Sequence, residues 1–448
     1  MELFLDGKVQ LFSGDCREQL KLLPDNSVDA GVMDPPYALV SIVKRFGNTK
    51  ESDQTKTSER VRGRVDGFSR LAAGGFMGKK WDTGETAFAI EFWAEVLRVL
   101  KPGAHLAAFS GTRTYHRMAC AIEDAGFEIR DQLAWTYGSG FPKSHDVSKG
   151  IDKAAGAERN IISVVPAFGI GGNGVLGGHS DGATMKIDDG PVTEAARQWQ
   201  GWGTALKPSW EPICLARKPL SEKTVAANVL RWGTGAINVD GCRVENAEYN
   251  PSAIQRSQKK QSGNTVTLNI PGHEQATYNP LGRFPANLIH DGSDEVVAAF
   301  PDTNSTGGYP AQGAKFGMHG GERQQLGDRI VMENSGGSAA RFFYTAKADG
   351  DDRLGSKHPT VKPVDLMQWL CRLITPPGGV ILDCFAGTGT TGEAAWREGF
   401  TAILMEREVE YQGDIRKRMG IANQHSAARK IARAKIITEK DPDDFFNI

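Results

Sequence analysis

Two blocks of alternating helix-like and strand-like sequence, one near each end of the chain, constrain the fold more than any other feature. In the first, VQLFSGD is a short apolar run, CREQLKLLPDNS spaces Leu20, Leu22 and Leu23 for a helix, and VDAGVMD reads as a buried strand. FAIEFWAEVLRVLKPGAHLAAFSG then predicts a helix closed by Pro-Gly and a following strand, and TYHRMACAIEDAGFEIRDQLAWTY repeats helix then strand. From residue 357 the pattern returns in VDLMQWLCRLI, GVILDCFAG, GTTGEAAWREG and FTAILMERE. Such alternation implies an α/β protein with a doubly wound, mostly parallel sheet covered by helices on both faces.

The middle of the chain breaks this register. Residues 140–208 are glycine-rich and weakly periodic, WEPICLARKP is a strand-like island, and 220–340 is polar and loop-rich. A structureless loop of that length does not fit inside a compact domain, so an inserted, loop-rich lobe is expected. The expected units are 1–150, an insertion at 151–340 with a core strand at about 209–219, 341–412, and a tail at 413–448 that begins helical. The 53 glycines among 448 residues follow no fixed period, and the net charge of −1 leaves a nucleic-acid partner neither required nor excluded. No apolar run is long enough to span a bilayer and MELFLDGKVQ lacks signal-peptide character, so a cytoplasmic location without membrane contact is expected. Six scattered cysteines without C-x-x-C spacing argue against a zinc ribbon, any other metal site built on them, and a disulfide framework.

Two stretches carry chemistry. MDPPYALV ends the buried run VDAGVM with an acid, two prolines and an aromatic. Neither proline donates a backbone hydrogen bond and each restricts its neighbour, so the chain can neither continue the sheet nor enter a helix directly. The result is a stiff corner carrying Asp34 and Tyr37. The second stretch, ILDCFAGTGTTGEAA, joins an apolar strand and an acid to a turn in which Gly387 and Gly389 allow close approach of a ligand, followed by a helix start. About twenty residues on, Glu406 ends the strand-like TAILME, where an acid can accept hydrogen bonds from ribose hydroxyls. No G-K-[ST] follows the glycines, so a phosphate loop is excluded. A cofactor with ribose but no pyrophosphate fits better, which points to S-adenosylmethionine.

Together, DPPY and LDCFAGTGTTGEAA resemble the amino-methyltransferases of DNA, which modify exocyclic amines of adenine or cytosine. The order, with the corner first, the cofactor glycines last and a variable region between, is similar to the β class of that family. GDCREQLKLLPDNSVD, VLRVLKPGAHLAAF, WEPICLARKP, FFYTAKA and HPTVKP extend the match over 1–150, 205–219 and 340–412. The resemblance implies a Rossmann-like methyltransferase fold, with catalytic and cofactor halves flanking a target-recognition region. It implies a catalytic set of Asp34, Pro35, Pro36 and Tyr37, in which Asp34 and the Pro35 carbonyl accept the two amine protons and Tyr37 stacks on a flipped base. It assigns S-adenosylmethionine to Asp15, Thr360, Lys362, Asp383, Phe385, Gly387, Gly389 and Glu406, with Thr360 and Lys362 along the methionine part. From the local sequence, Asp15 reads equally well as a helix N-cap, and His358 reads as a structural residue.

The implied substrate is double-stranded DNA, and the implied reaction is site-specific methylation of adenine N6, because cytosine-N4 enzymes more often carry serine in place of the acid. Cytosine N4 is the alternative; a non-catalytic DNA-binding protein on the same fold is a more distant one. The basic run at 38–82, which includes Lys44, Arg45, Arg60, Arg62, Arg64, Lys79 and Lys80, is placed to hold phosphates or fill the gap left by a flipped base. In the insertion, Trp199, Trp202, Arg231, Trp232, Arg256, Lys259, Lys260, Arg283 and Arg323 are candidates for sequence recognition, the arginines and lysines as base readers. Trp199, Trp202, Trp210 and Trp232 are expected in the core, and Arg416, Lys417 and Arg418 are expected to solvate a helix. A homodimer and a cognate restriction endonuclease are further partners the resemblance allows.

Overall fold

Strands and helices alternate where the periodicity places them, in a computed structural model that describes residues 1–37, 86–138, 140, 144–166, 184–244, 282–304, 336–346, 350–356, 358 and 360–424. The strands are β1 (Glu2–Phe4), β2 (Val9–Ser13), β3 (Val28–Met33), β4 (Leu100–Phe109), β5 (Glu128–Thr136), β6 (Ile161–Pro166), β7 (Thr184–Asp188), β8 (Trp210–Arg217), β9 (Leu288–His290), β10 (Asp302–Asn304), β11 (Gly336–Ser338), β12 (Tyr344–Thr345), β13 (Val380–Asp383) and β14 (Thr401–Glu406). The helices are α1 (Cys16–Gln19), α2 (Ile90–Val99), α3 (Tyr115–Asp124), α4 (Val147–Ala154), α5 (Glu194–Gln198), α6 (Val225–Trp232), α7 (Asp294–Ala299), α8 (Val364–Ile374), α9 (Thr390–Arg397) and α10 (Val409–Ala422).

Ten strands form one sheet in the order β1-β2-β14-β13-β3-β4-β8-β5-β9-β12. It is mostly parallel; β1 runs antiparallel to β2, and β8 runs antiparallel to both β4 and β5. Successive strand residues point to opposite faces, and both faces are buried. On one face Ala30, Val32, Ala107, Phe109, Ile381, Ala402 and Leu404 pack with the apolar residues of α8, α9 and α10. On the other, Val28, Leu106, Ala108, Leu382, Ile403 and Met405 pack with those of α2 and α3. This double burial is why the strands read as unbroken apolar runs. Asp29, buried within β3, is neutralised by Lys101 at 2.6 Å and accepts the Val380 N–H at 2.8 Å.

The winding of the chain fixes where a ligand can enter. From β13 it crosses through α9 to β14 on one side; from β3 it crosses through α2 to β4 on the other. The two directions diverge between β3 and β13, which pair in parallel with Leu382 opposite Gly31. At such a switch point a crevice opens outside the carboxyl ends of the strands. Asp34 and Asp383 both lie there. Because β8 is antiparallel, its first residues also lie at this edge, with Phe109 opposite Ile213.

Several expectations need correction. The strand after α2 begins before the Pro-Gly pair: β4 includes Pro102 and Gly103 as an irregularity, and the register with β3 jumps from Val28↔Leu100 to Ala30↔His105. Gly103, at φ +82°, supplies the left-handed residue this needs. Trp199, Trp202 and Trp210 are not core residues, being 43%, 59% and 37% exposed. The first two lean edge-on against each other just after the end of α5. Arg418 does not solvate α10 but lies inside it, 1% exposed on its side chain. Arg283 stacks its guanidinium over Phe342 at 4.3 Å, and Arg231 pairs with Glu222 at 2.6 Å. Part of the middle stretch joins the main sheet through β9, and Asn228 and Thr234 bond the Pro102 carbonyl at 2.8 and 2.6 Å. Five of the six cysteines are buried and Cys120 is exposed. No helix among the described residues is long and apolar enough to cross a membrane. Lys44, Arg45, Arg60, Arg62, Arg64, Lys79 and Lys80 lie outside the described residues, as do Arg256, Lys259, Lys260 and Arg323.

Candidate active site

The DPPY corner leaves β3 at the switch point, and its backbone is held by Thr114, whose hydroxyl donates to the Tyr37 carbonyl at 2.8 Å. The Asp34 carboxylate is divided between two roles. Its Oδ2 accepts from Lys362 Nζ at 2.6 Å, whereas Oδ1 is buried and receives no donor from the described residues. A buried acceptor left open costs about 1–3 kcal/mol, more when charged, so this oxygen is poised for a donor brought by a ligand. Lys362 is 5% exposed on its side chain and stands in the extended segment that Pro363 closes as the N-cap of α8.

Lys362 Nζ also donates to the Tyr37 hydroxyl at 3.1 Å and lies 3.2 Å from Glu211 Oε2, while Tyr37 donates to the same Glu211 oxygen at 2.8 Å. The ammonium sits 5.3 Å from the centroid of the Tyr37 ring and 4.9 Å from that of Phe109. Burial alone would depress the lysine, but the carboxylates of Asp34 and Glu211 together hold its pKa above the usual range. Burial, reinforced by the same two carboxylates, pushes the Tyr37 phenol up, so it stays protonated and keeps donating.

The glycine turn follows β13. Asp383 accepts the Phe385 N–H at 2.9 Å and the Thr391 hydroxyl at 2.5 Å, which closes the turn onto α9. Gly387 and Gly389 have φ of +52° and +79°, and a Cβ on Gly387 would stand 3.2 Å from His358 Nε2. A side chain there would suffer both strain and crowding. Glu406 grips the turn from the end of β14: Oε2 accepts the Gly387 N–H and Oε1 the Glu408 N–H, each at 2.8 Å. Burial raises Asp383 to about 7, with a further push from Asp34, and raises Glu406 to about 7 as well. The electrostatic coupling of Asp34 to Asp383 and to His358 puts corner and turn in one site.

Of the residues singled out in the sequence, Asp34, Tyr37 and Lys362 meet directly, as do Gly387 and Glu406, and Asp383 accepts the Phe385 N–H. Lys362 contacts the corner itself. Asp15 caps α1 through the Arg17 N–H at 2.9 Å and pairs with the Arg17 side chain at 2.6 Å. Phe385 packs on Phe92 with ring centroids 5.3 Å apart. Thr360 bonds through its backbone to His358 Nδ1, and burial lowers His358 to about 4, so the ring is neutral at pH 7. Glu211 and Thr114 were not singled out; the only signal for Glu211 was an acid opening the apolar run of WEPICLARKP.

The donor set suits a nucleoside. Each Glu406 carboxylate oxygen accepts one backbone N–H and has lone-pair capacity left for a hydroxyl. Comparison with known proteins identifies the family. The model of the DNA methylase family matches residues 28–417. The Type II methyltransferase M.HindIII of Haemophilus influenzae is 25% identical over 241 residues, 51% of this chain and 64% of that protein. The Type II methyltransferase M2.DpnII of Streptococcus pneumoniae is 40% identical over 73 residues, 16% of this chain and 27% of that one. The chain thus spans less than two thirds of either relative. Among solved structures, the cytosine-N4-specific PvuII DNA methyltransferase is similar at 13% identity and a TM-score of 0.40, covering 96% of this chain and 93% of its own. The family match runs unbroken from the strand before the DPPY corner into the helix after Glu406, and on it the chain belongs to the N6/N4 DNA methylase family.

Proposed function

We propose that the protein methylates the exocyclic N6 of adenine at specific sites in duplex DNA, with S-adenosylmethionine as donor. The observation that carries this reading is the divided carboxylate of Asp34, with one oxygen clamped by Lys362 and the other buried, open and next to the glycine turn. An exocyclic amine is a poor nucleophile because its lone pair is delocalised into the ring. Asp34 Oδ1 accepts one amine proton and the Pro35 carbonyl the other, which draws the nitrogen toward tetrahedral geometry and frees the lone pair. Pro36 keeps the corner rigid and Tyr37 offers the base a flat face. The gain is positioning and fixed dipoles. S-adenosylmethionine supplies an electrophilic methyl on a sulfonium. Glu406 would accept its ribose hydroxyls, and Asp383 with the Gly387–Gly389 backbone would hold it. The base reaches the corner only when flipped out of the stack, at a cost of a few kcal/mol. The basic run at 38–82 follows the corner directly in sequence and is assigned to phosphate contact. Asp34, rather than serine, at the head of the corner supports adenine over cytosine.

Incubation with unmethylated genomic DNA and S-adenosylmethionine, followed by mass spectrometry of the nucleosides, is expected to show N6-methyladenine. N4-methylcytosine would overturn the base assignment alone, and no modified nucleoside would overturn the reading. Cofactor binding is expected to depend on pH. Glu406 titrates near 7, and only its ionised form is a pure acceptor for hydroxyls. Affinity for S-adenosylmethionine, measured by calorimetry, is expected to fall several-fold between pH 8 and 6. Glu406→Gln should bind more weakly and lose most of that dependence; an unchanged pH profile in the variant would assign the titration elsewhere.

A further inference from the structure

Glu211 enters the site from β8, outside the corner and outside the glycine turn. Because β8 is antiparallel, its amino end reaches the edge where the parallel strands end. The Glu211 carboxylate faces site residues: the Tyr37 hydroxyl at 2.8 Å, Lys362 Nζ at 3.2 Å and the phenol of Tyr137. Lys362 is thereby held between two carboxylates, and its three donors go to Asp34 Oδ2, Tyr37 and Glu211. Resting on the methyl-transfer reading above, we propose that Glu211 is a positioning residue: acting through Lys362 and Tyr37, it keeps Asp34 Oδ1 open and the Tyr37 ring in aim.

The physical reason lies in what the lysine would do without it. An ammonium with one carboxylate in reach bridges both of its oxygens, which here would fill Oδ1, the acceptor the base amine needs. Glu211 draws the ammonium back to Oδ2. It also accepts the Tyr37 proton while the phenol oxygen accepts from Lys362, so both hydrogen-bonding functions of that hydroxyl are used and the ring cannot swing.

The test uses the full chain, duplex DNA carrying its unmethylated target site, and isotopically labelled S-adenosylmethionine under single-turnover conditions. Glu211→Gln is nearly isosteric, and the transfer rate is expected to fall about 10- to 100-fold, the scale of an ångström-sized misplacement. Affinity for S-adenosylmethionine should stay within about threefold. In a Lys362→Met background, Glu211→Gln should add less than about threefold, because the ammonium it restrains is gone. Glu211→Asp, which keeps the charge, should lose less than Glu211→Gln and remains readable if the glutamine variant does not fold. An unchanged rate in Glu211→Gln, a matching loss of cofactor affinity, full additivity with Lys362→Met, or equal losses in the aspartate and glutamine variants would each overturn the proposal. Those outcomes presuppose an active wild type; a wild-type protein that transfers no methyl group would overturn the methyl-transfer reading and this inference with it.

Discussion

Asp34→Asn is expected to lower the rate of methyl transfer by about 10³-fold or more, at the upper end of what a single preorganised acceptor contributes. The size follows from the direction of the hydrogen bonds. Lys362 can only donate, so an amide at position 34 must turn its oxygen toward Nζ, which lies 2.6 Å from Oδ2 in the native site. The amide NH₂ then occupies the place of Oδ1. The substrate amine, itself a donor, would meet a donor where it needs an acceptor. Asp34→Ala leaves the place empty and should be less damaging to base entry, although it is also inactive. In both variants Lys362 keeps Glu211 at 3.2 Å as its counter-charge, so the pocket should persist and affinity for S-adenosylmethionine should stay within about threefold. Rates from single-turnover labelling and affinities from calorimetry separate the two effects. Equal losses of both would mean that Asp34 holds the pocket together rather than serving the amine.

The parts of the site legible in the sequence are those whose chemistry is contiguous. DPPY states its own rigidity, because two prolines after a buried run leave no other conformation. The glycine turn states its own closeness of approach, and Glu406 follows at the distance that one helix and one strand require. Strand runs were legible because both faces of the sheet are buried. What was hidden depends on strand order. Tyr37 and Glu211 are 174 positions apart and Asp34 and Lys362 are 328 apart; only the sheet order, with β8 inserted in reverse beside β4, brings them together. HPTVKP carries no local sign that Lys362 reaches the corner, yet its Nζ lies 2.6 Å from Asp34 Oδ2. Trp199 and Trp202 follow the end of α5 and lean on each other, and Trp210 opens β8, so all three sit at element ends where the side chain stays partly in solvent.

Arg418 is the case in which composition misled most, and its replacement should have the largest effect on stability. The run Arg416, Lys417, Arg418 reads as a solvated helix face, yet the helical turn sends the three side chains in different directions. Arg416 pairs with Glu2 at 2.6 Å with both side chains well exposed, so solvent screens the pair and it adds little to stability. Arg418 is buried and donates to the Thr388 carbonyl and to Glu393 at 2.7 Å each, and to the Asp352 carbonyl. It therefore ties α10 to the glycine turn and to the first turns of α9. Arg418→Met fills much of the volume but takes the buried guanidinium away from a Glu393 carboxylate that is 1% exposed and also pairs with Arg397 at 2.6 Å. Breaking a buried pair from one side costs about 3–5 kcal/mol, whereas Arg416→Met removes only a solvent-screened contact and should leave stability nearly unchanged. Urea unfolding of the two variants beside the wild type measures the contrast. Adding Glu393→Gln to Arg418→Met should recover part of the loss, since the buried charge is removed with its partner. Because Arg418 holds the Thr388 carbonyl within the turn, Arg418→Met should also weaken S-adenosylmethionine, whereas Arg416→Met should not. If both variants unfold at the same urea concentration, the buried contacts of Arg418 add nothing beyond those of an exposed pair, and the coupling between α10 and the cofactor turn falls with them.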